Sequence, residues 1–180
     1  MSETQKQMLD NIVLVGFMGT GKTSVGKVLS KKLKRALVDV DTFIEKKQKM
    51  TIREIFERRG ELFFRELEKK AVAEIAKSKK HVITTGGGAV VDPANVDALK
   101  ASGVLVALTA TPETIYARVR FSRTRPLLSE NEDPLGQIKR LLSSREPYYA
   151  KSDLFVPTDG MKPSAVADQI VALLKKHYDL

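Results

Sequence analysis

Short apolar runs alternate with longer amphipathic stretches along this chain. The short runs predict buried strands at 12–15, 36–39, 81–84, 104–108 and 154–156. Apolar residues three and four positions apart predict helices that begin near 21, 41, 52, 61, 93, 112, 134 and 163. Strands that alternate with helices are typical of a parallel sheet covered on both faces. The pattern therefore predicts one α/β domain over residues 1–180.

A phosphate-binding motif directly follows the first predicted strand. Residues 16–23 read GFMGTGKT and match G-x-x-x-x-G-K-[ST] at every fixed position. The glycines let backbone N–H groups turn inward around an anion, and the next helix points its positive end at the same place. Lys22 can place a charge on the outer phosphates, and Thr23 can offer a hydroxyl to Mg²⁺. We interpret this stretch as a P-loop, with nucleotide contacts from Gly19, Thr20, Gly21, Lys22, Thr23 and Ser24.

Two aspartates close the second predicted strand. Ligands of parallel sheets bind at the carboxyl ends of the strands, where Asp39 and Asp41 should lie. Because residues two apart on a strand share a face, one carboxylate can serve Mg²⁺ while the other faces an acceptor hydroxyl. A helix cap plus a surface carboxylate explains the pair equally well.

Two further patterns suggest an acceptor site. Gly86, Gly87 and Gly88 follow the third predicted strand, where they suit either close approach to a small polar ligand or a tight turn. On the helix from residue 61, Arg65 shares a face with Glu61 and Glu68. Ordinary surface ion pairing gives the same spacing. The functional alternative is an arginine that carboxylates hold ready to grip a substrate.

A polar, proline-interrupted segment at 122–133 predicts a mobile loop. Arginines lie in this segment and on the helices beside it. Their planar forks suit phosphates and carboxylates, although a solvated basic face is the alternative for some of them.

Composition limits the possible partners and chemistry. The net charge is +9, from 31 basic and 22 acidic residues, which fits either nucleic acid or two anionic substrates. Aromatic residues for base stacking are few, so we expect no nucleic-acid partner. The chain has no cysteine, which excludes thiolate chemistry and makes an oxygen-bound metal such as Mg²⁺ the expected one.

The chain also lacks sequence signals for membranes or export. No apolar run is long enough to span a bilayer, and the first eleven residues are too polar for a secretory signal. We therefore expect a cytoplasmic monomer without a membrane partner, and a loosely held N-terminal tail.

Taken together, the motifs resemble those of shikimate kinases over residues 12–174. They occur in the order GFMGTGKT, VDVD, GELFFRELE, TGGGAV, TRPLL and SREPYY. The resemblance implies phosphoryl transfer from ATP to the 3-hydroxyl of shikimate, a step of aromatic amino acid biosynthesis. It also implies a three-layer α/β/α P-loop fold like that of nucleoside monophosphate kinases. The expected five-stranded sheet has the order 2-3-1-4-5, with a helical substrate-binding region near 41–70 and a lid near 122–133.

On the nucleotide side, the resemblance implies that Thr23 and, through water, Asp39 hold Mg²⁺. No acid follows the third strand, so the metal must rely on these two residues. Arg125 matches the arginine that reaches the transferred phosphate. Arg118 and Pro163 match residues that sandwich the adenine ring, and the proline is matched least firmly because its loop departs from the family pattern.

On the acceptor side, Asp41 matches the residue that contacts the shikimate hydroxyls and is the candidate base. Arg65 and Arg145 match arginines that bind the shikimate carboxylate, and Glu68 matches a carboxylate that orients Arg65. The remaining matches line the substrate ring; they are Gly86, Gly87, Gly88, Phe56 and Phe64. The expected catalytic residues are Lys22, Asp41 and Arg125.

Three other functions share some of these sequence features. A kinase for another polyol acid, such as gluconate, shares the P-loop, but the acceptor residues suit a compact ring with a carboxylate. A GTPase switch is favoured only by the D-x-x-G match at 133–136, which follows no strand and has no N-K-x-D partner. A nucleic-acid-associated ATPase is supported only by the net charge.

Overall fold

The computed structural model describes residues 7–120 and 133–179. The predicted lid at 122–133, including Arg125, therefore lies outside the described residues except for Asp133.

The described chain alternates strands and helices, as the apolar pattern predicts. The strands are Gln7–Met8 (β1), Asn11–Val15 (β2), Ala36–Asp39 (β3), His81–Thr84 (β4), Gly103–Thr109 (β5), Leu154–Pro157 (β6) and Tyr178–Asp179 (β7). The helices are Lys22–Leu33 (α1), Val40–Gln48 (α2), Ile52–Ile75 (α3), Pro93–Ser102 (α4), Pro112–Val119 (α5), Pro134–Tyr149 (α6) and Pro163–His177 (α7). A 3₁₀ helix covers Ala89–Val91.

Five parallel strands form the central sheet in the order β3-β4-β2-β5-β6. Numbered along the chain, this is the order 2-3-1-4-5, so the predicted topology is confirmed. β2 is central, with Ile12 opposite Val82 on one side and Val104 on the other. It is fully buried, as expected for a strand with neighbours on both edges and helices on both faces.

Two hydrophobic clusters cover the two faces of the sheet. Ile12 and Leu14 of β2 belong to a cluster with Leu29 of α1 and Ile170 of α7. The intervening β2 residues, Val13 and Val15, belong to the other cluster, which includes core residues of α3 to α6. This division follows the two-residue period of a strand. The result is the predicted arrangement of helix, sheet and helix layers.

Local capping fixes several helix ends. Thr51 and Glu54 form a reciprocal capping box at the start of α3. The helix is interrupted at Gly60, whose φ of 78° and ψ of 173° are not helical, at the predicted break between two helices. The D-x-x-G match at 133–136 is also a cap, because the Asp133 carboxylate accepts from the Gly136 amide at 2.8 Å.

Two expectations about the periphery are wrong. The N-terminal stretch is not a loose tail throughout, because β1 pairs with β7 and the Leu9 amide donates to the Asp179 carbonyl at 3.2 Å. Arg35 also donates to the Leu9 carbonyl at 3.0 Å. The strand at 36–39 is not buried, since it lies at the edge of the sheet and its residues are exposed or half-buried. Among residues 7–120 and 133–179, no helix is both long and apolar enough to cross a bilayer.

Candidate active site

A cavity of about 610 Å³ opens at the carboxyl ends of the strands. Its walls come from the P-loop, the β3–α2 junction, α3, the glycine loop after β4, α5 and α6. Most of the sequence-predicted site residues line it: Gly19, Gly21, Lys22, Thr23, Ser24, Asp39, Asp41, Phe56, Phe64, Arg65, Glu68, Gly86, Gly87, Gly88, Arg118 and Arg145.

Backbone carbonyls of the P-loop accept hydrogen bonds from the lysine of the same loop. The Lys22 ammonium donates to the Gly16 carbonyl at 2.7 Å and to the Phe17 carbonyl at 2.9 Å. Gly16, Gly19 and Gly21 have φ values of 138°, 78° and 95°, a region that favours glycine. A Cβ at Gly16 would also collide with the Leu108 carbonyl. The loop glycines are therefore favoured by their backbone angles, and Gly16 is also required by the closeness of β5.

Thr20, unlike the other predicted P-loop contacts, does not face the cavity. It is buried, and both its amide and its hydroxyl are directed to the Phe17 carbonyl, at 3.3 and 2.8 Å. It is not among the described residues that line the cavity, whereas its exposed successors Thr23 and Ser24 are. In this structure Thr20 stabilises the turn of the loop.

The geometric reason given for the D-V-D pair is wrong. β3 ends at Asp39 and Val40 begins α2, so the two aspartates do not share a strand face. Asp39 is the helix N-cap, accepting from the Thr42 amide at 3.0 Å and from the Thr84 hydroxyl at 2.6 Å. The capping alternative thus holds for Asp39, while Asp41 lies in the first helical turn and lines the cavity.

Asp41 is not a surface carboxylate. Its Oδ1 atom is buried and has no hydrogen-bond partner among the described residues. Burial, reinforced by the negative charges of Asp39 and Glu68, raises the pKa of Asp41 to about 6, although Lys22 opposes the shift. A carboxyl group with this pKa takes up and releases a proton near neutral pH.

Arg65 is fixed by two carboxylates and an aromatic ring. Its guanidinium donates to Glu61 at 2.9 Å and to Glu68 at 2.7 Å, and it lies 5.2 Å from the centre of the Phe64 ring. Glu68 is only 1% exposed, and burial raises the pKa of its carboxyl group while Arg65 opposes the shift. Simple surface ion pairing therefore does not describe this group, because one partner is inside the protein.

The three glycines fit between these charged side chains. A Cβ at Gly86 would lie 3.1 Å from Asp41 Oδ1 and 3.3 Å from Glu68 Oε1. The same Glu68 atom is buried without a hydrogen-bond partner among the described residues. Two unpartnered carboxylate oxygens thus face one point of the glycine loop. The nearby Phe56 and Phe64 rings, 4.8 Å apart, add an apolar wall.

Two further arginines reach the cavity from α5 and α6. Arg145 lies over the ring of Phe17, 5.5 Å from its centre, beside the P-loop. Arg118 donates to the Gly19 carbonyl at 3.1 Å and to the Thr158 carbonyl at 2.6 Å, so it ties the P-loop to the loop before α7. Pro163 is the first residue of α7 and is not among the described lining residues.

Sequence reasoning did not select every residue of the cavity. Met18, Ile52, Arg53 and Thr85 also line it. Ile52 was visible only as an apolar helix position, and Arg53 only as one of many exposed basic residues. Ile52 and Arg53 reach the cavity because of how the start of α3 packs against α2, which no local sequence pattern specifies.

The nucleotide side offers oxygen donors for a metal ion. The Thr23 hydroxyl and the Asp39 carboxylate both line the cavity. Within the described parts of the chain, no group of three or more acidic, histidine or cysteine side chains could hold a metal by itself. Two protein oxygens fit Mg²⁺, which usually keeps several waters and bridges to substrate phosphates.

Fold and site define a P-loop kinase of small molecules, and comparison with known proteins identifies the family. The shikimate kinase family model matches residues 18–175. The chain is 45% identical to the shikimate kinase of Caldicellulosiruptor saccharolyticus, covering 92% of this chain and 95% of that one. It is 46% identical to the Moorella thermoacetica enzyme, covering 93% and 96%. The chain belongs to the shikimate kinase family.

Solved structures agree with this assignment. The Acinetobacter baumannii shikimate kinase in complex with shikimate is 36% identical, with a TM-score of 0.89 over 94% of this chain and 95% of that one. A gluconokinase from Sinorhizobium meliloti has a TM-score of 0.60 at 15% identity, covering 95% and 94%. That second likeness shows only a shared fold, so it does not favour gluconate as the acceptor.

Proposed function

We propose that this protein transfers the γ-phosphoryl group of ATP to the 3-hydroxyl of shikimate, giving shikimate 3-phosphate and ADP. The proposal depends on one observation: Asp41, Arg65 and Arg145 line the same cavity as the P-loop. A proton acceptor beside two guanidinium groups suits a hydroxy acid. The A. baumannii relative was solved in complex with shikimate, which supports this choice of acceptor.

The P-loop would bind the triphosphate. Phosphate oxygens would replace the Gly16 and Phe17 carbonyls as acceptors for the Lys22 ammonium, which the loop already holds beside the cavity. The N-terminus of α1 adds backbone N–H groups and a partial positive charge. Arg118 lies where the P-loop meets the Thr158 loop and would flank the adenine ring. Pro163 stays a predicted adenine contact.

Mg²⁺ would be held by the Thr23 hydroxyl and, through water, by the Asp39 carboxylate. When bound, the ion neutralises charge on the β- and γ-phosphate oxygens. Asp39 uses each carboxylate oxygen in one hydrogen bond, to the Thr42 amide and the Thr84 hydroxyl. These bonds fix its orientation, and each oxygen keeps capacity to accept a further hydrogen bond from a metal-bound water.

Asp41 would act as the general base. Its carboxylate accepts the proton of the acceptor hydroxyl as that oxygen bonds to the γ-phosphorus and the bond to the bridging oxygen of ADP breaks. The raised pKa makes Asp41 a stronger base than an ordinary aspartate while leaving it ionised above a pH of about 6. The Asp41 side chain lines the cavity, where an acceptor hydroxyl would lie.

Arg65 and Arg145 would hold the substrate carboxylate and so orient the ring. Arg65 is positioned by Glu61 and Glu68, and Arg145 by the Phe17 ring. Side chains fixed before the substrate arrives lose little conformational entropy on binding, which favours a productive orientation. Arg125, the predicted contact to the transferred phosphate, lies outside the described residues and stays a prediction.

A coupled assay for ADP release tests the proposal. Shikimate, gluconate and nucleoside monophosphates would be offered separately, each with ATP and with or without Mg²⁺. We expect ADP only with ATP, Mg²⁺ and shikimate together. Turnover with gluconate and none with shikimate would contradict the proposed acceptor, while ADP formation without Mg²⁺ would contradict the proposed metal.

A further inference from the structure

The hydroxyl of Tyr149 binds the backbone of the glycine loop. Tyr149 ends α6, is only 7% exposed, and donates to the Gly87 carbonyl at 2.6 Å. The two residues are 62 positions apart in the sequence. The motif SREPYY contains both Arg145 and Tyr149, but the proposed function uses only the arginine.

Gly87 lies where the two halves of the cavity meet. A Cβ at this position would lie 3.2 Å from the Met18 amide nitrogen and 3.4 Å from the Gly16 carbonyl oxygen, both in the P-loop. It would also lie 3.6 Å from Nη1 of Arg145. A shift of the Gly87 peptide would therefore change the spacing between the phosphate loop and the acceptor residues.

Tyr149 and Arg145 share a face of α6, because they are four positions apart on the helix. Burial raises the pKa of Tyr149 to about 12, and the charge of Arg145 and a hydrogen bond to it oppose this shift. The hydroxyl thus stays protonated near neutral pH and can donate to Gly87. Its oxygen can at the same time accept from the Arg145 guanidinium, which lies over Phe17.

We infer that Tyr149 is a positioning residue, which holds the Gly87 peptide and Arg145 at a fixed distance from the P-loop. This inference rests on the proposed function, since it assigns Gly87 and Arg145 to the acceptor side of the same reaction. Tyr149 does not touch the reacting atoms. It affects the reaction by keeping Gly87 and Arg145 at the correct distance from the bound triphosphate.

Tyr149→Phe tests the inference, and Tyr148→Phe is its matched control. Both changes remove one hydroxyl from neighbouring rings of α6. Tyr148 is half-buried, and its hydroxyl makes no hydrogen bond to the described residues. The measurements are kcat and KM for each substrate, ATP affinity by calorimetry, the thermal midpoint, and amide hydrogen exchange over residues 84–91.

For Tyr149→Phe we expect kcat/KM for shikimate to fall roughly tenfold, because a buried carbonyl loses its donor and the acceptor groups shift. ATP affinity should stay within about twofold, since the phosphate loop keeps its own hydrogen bonds. Exchange should quicken at Ala89, whose amide closes the turn that contains Gly87, and at Val91, whose amide closes the next turn. Tyr148→Phe should behave like the unchanged protein in every measurement.

Several results would overturn the inference. Three of them concern Tyr149→Phe: unchanged kinetics with shikimate, an equal loss of affinity for ATP and shikimate with a lower thermal midpoint, or a protein that does not fold. The fourth is a Tyr148→Phe protein that is impaired as much as Tyr149→Phe. An equal loss of affinity for both substrates with a lower thermal midpoint, or a failure to fold, would mark a merely structural role. Hydrogen exchange in the ligand-free protein reports on the order of the glycine loop without depending on catalysis. If the unchanged protein failed to use shikimate, the proposed function would fail, while unaltered exchange in Tyr149→Phe would still overturn the positioning role.

Discussion

The guanidinium group of Arg65 occupies the space in which a side chain at Gly88 would begin. A Cβ there would lie 2.7 Å from Nη2 and 2.8 Å from Nη1 of Arg65. The φ of Gly88 is −98°, which any residue can adopt, so the glycine is needed for space alone. Together with Glu61 and Glu68, the bare backbone at Gly88 confines Arg65 to one position.

Gly88→Ala should therefore displace Arg65 and weaken shikimate binding. We expect KM for shikimate to rise by about ten- to a hundredfold, because misplacement of an orienting group by about 1 Å has effects of this size. ATP affinity should be unchanged. The same change made in an Arg65→Ala background should have little further effect, since the two changes act on one group. Additive losses in this double-mutant cycle would show that Gly88 acts independently of Arg65.

The rate should depend on pH through Asp41. A base must be ionised to accept a proton, and the pKa of Asp41 is raised to about 6. We expect kcat/KM for shikimate to fall tenfold per pH unit below about 6 and to level off above it. The terminal phosphate of ATP also titrates near a pKa of about 6, so the profile of Asp41→Asn provides the baseline. A break near the ordinary aspartate pKa would contradict the assignment.

Asp41→Asn should bind ATP almost normally and lose most turnover, yet the folded protein should become more stable. Folding raises the pKa of Asp41 from 3.8 to about 6, so the ionised group destabilises the fold. This destabilisation is absent below pH 3.8, where Asp41 is protonated in both the unfolded and the folded protein. It grows as the pH rises from 3.8 to about 6 and is complete above about 6. At neutral pH the free energy of unfolding of Asp41→Asn should be higher by up to about 3 kcal/mol, because a difference of one unit in pKa corresponds to about 1.36 kcal/mol. Urea unfolding should show a gain that shrinks towards pH 4; a variant that is less stable at neutral pH would count against the assigned environment.

Arg65→Ala and Arg145→Ala should both weaken shikimate binding, by about 2–5 kcal/mol each. Their effects should not add, because both side chains address one carboxylate. Arg65→Ala should also lower stability by about 1–3 kcal/mol, more than Arg145→Ala does, since it leaves Glu68 buried without its hydrogen-bonded partner. Calorimetry and thermal melting separate the two effects. Equal melting temperatures for the two variants would contradict the structural role of the Arg65–Glu68 pair.

Arg53 should assist the approach of the anionic acceptor. Arg53 and Arg58 lie on α3, are each 66% exposed, and pair with glutamates four positions away. Of the two, only Arg53 is among the described residues that line the cavity. We expect Arg53→Ala to lower kcat/KM for shikimate a few-fold at low salt and less at high salt. Arg58→Ala changes the net charge equally, so a matching loss would indicate a general charge effect.

The sequence by itself predicted the elements whose causes are local. A strand–loop–helix unit is identified by the apolar run at 12–15 and the glycines and lysine of the P-loop, without any knowledge of the fold. Prolines mark the starts of several later helices. The sheet order and the family followed from the resemblance, and both are confirmed. The spacing of Glu61, Arg65 and Glu68 also predicted their shared helix face, because that geometry depends only on the helical period. The roles of the site residues stay predictions.

The tertiary structure alone decided what depends on distant contacts. Spacing placed Asp39 and Asp41 on one strand face, but β3 ends two residues before Asp41, and Asp39 is the cap of the next helix. The pKa of Asp41 is set mainly by burial and by the charges around it, which α3 and the P-loop bring together. The fit of Arg65 against Gly88 and the bond from Tyr149 to Gly87 join residues that are far apart in the chain. A local pattern carries no information on such pairs, because packing between elements determines which of them meet.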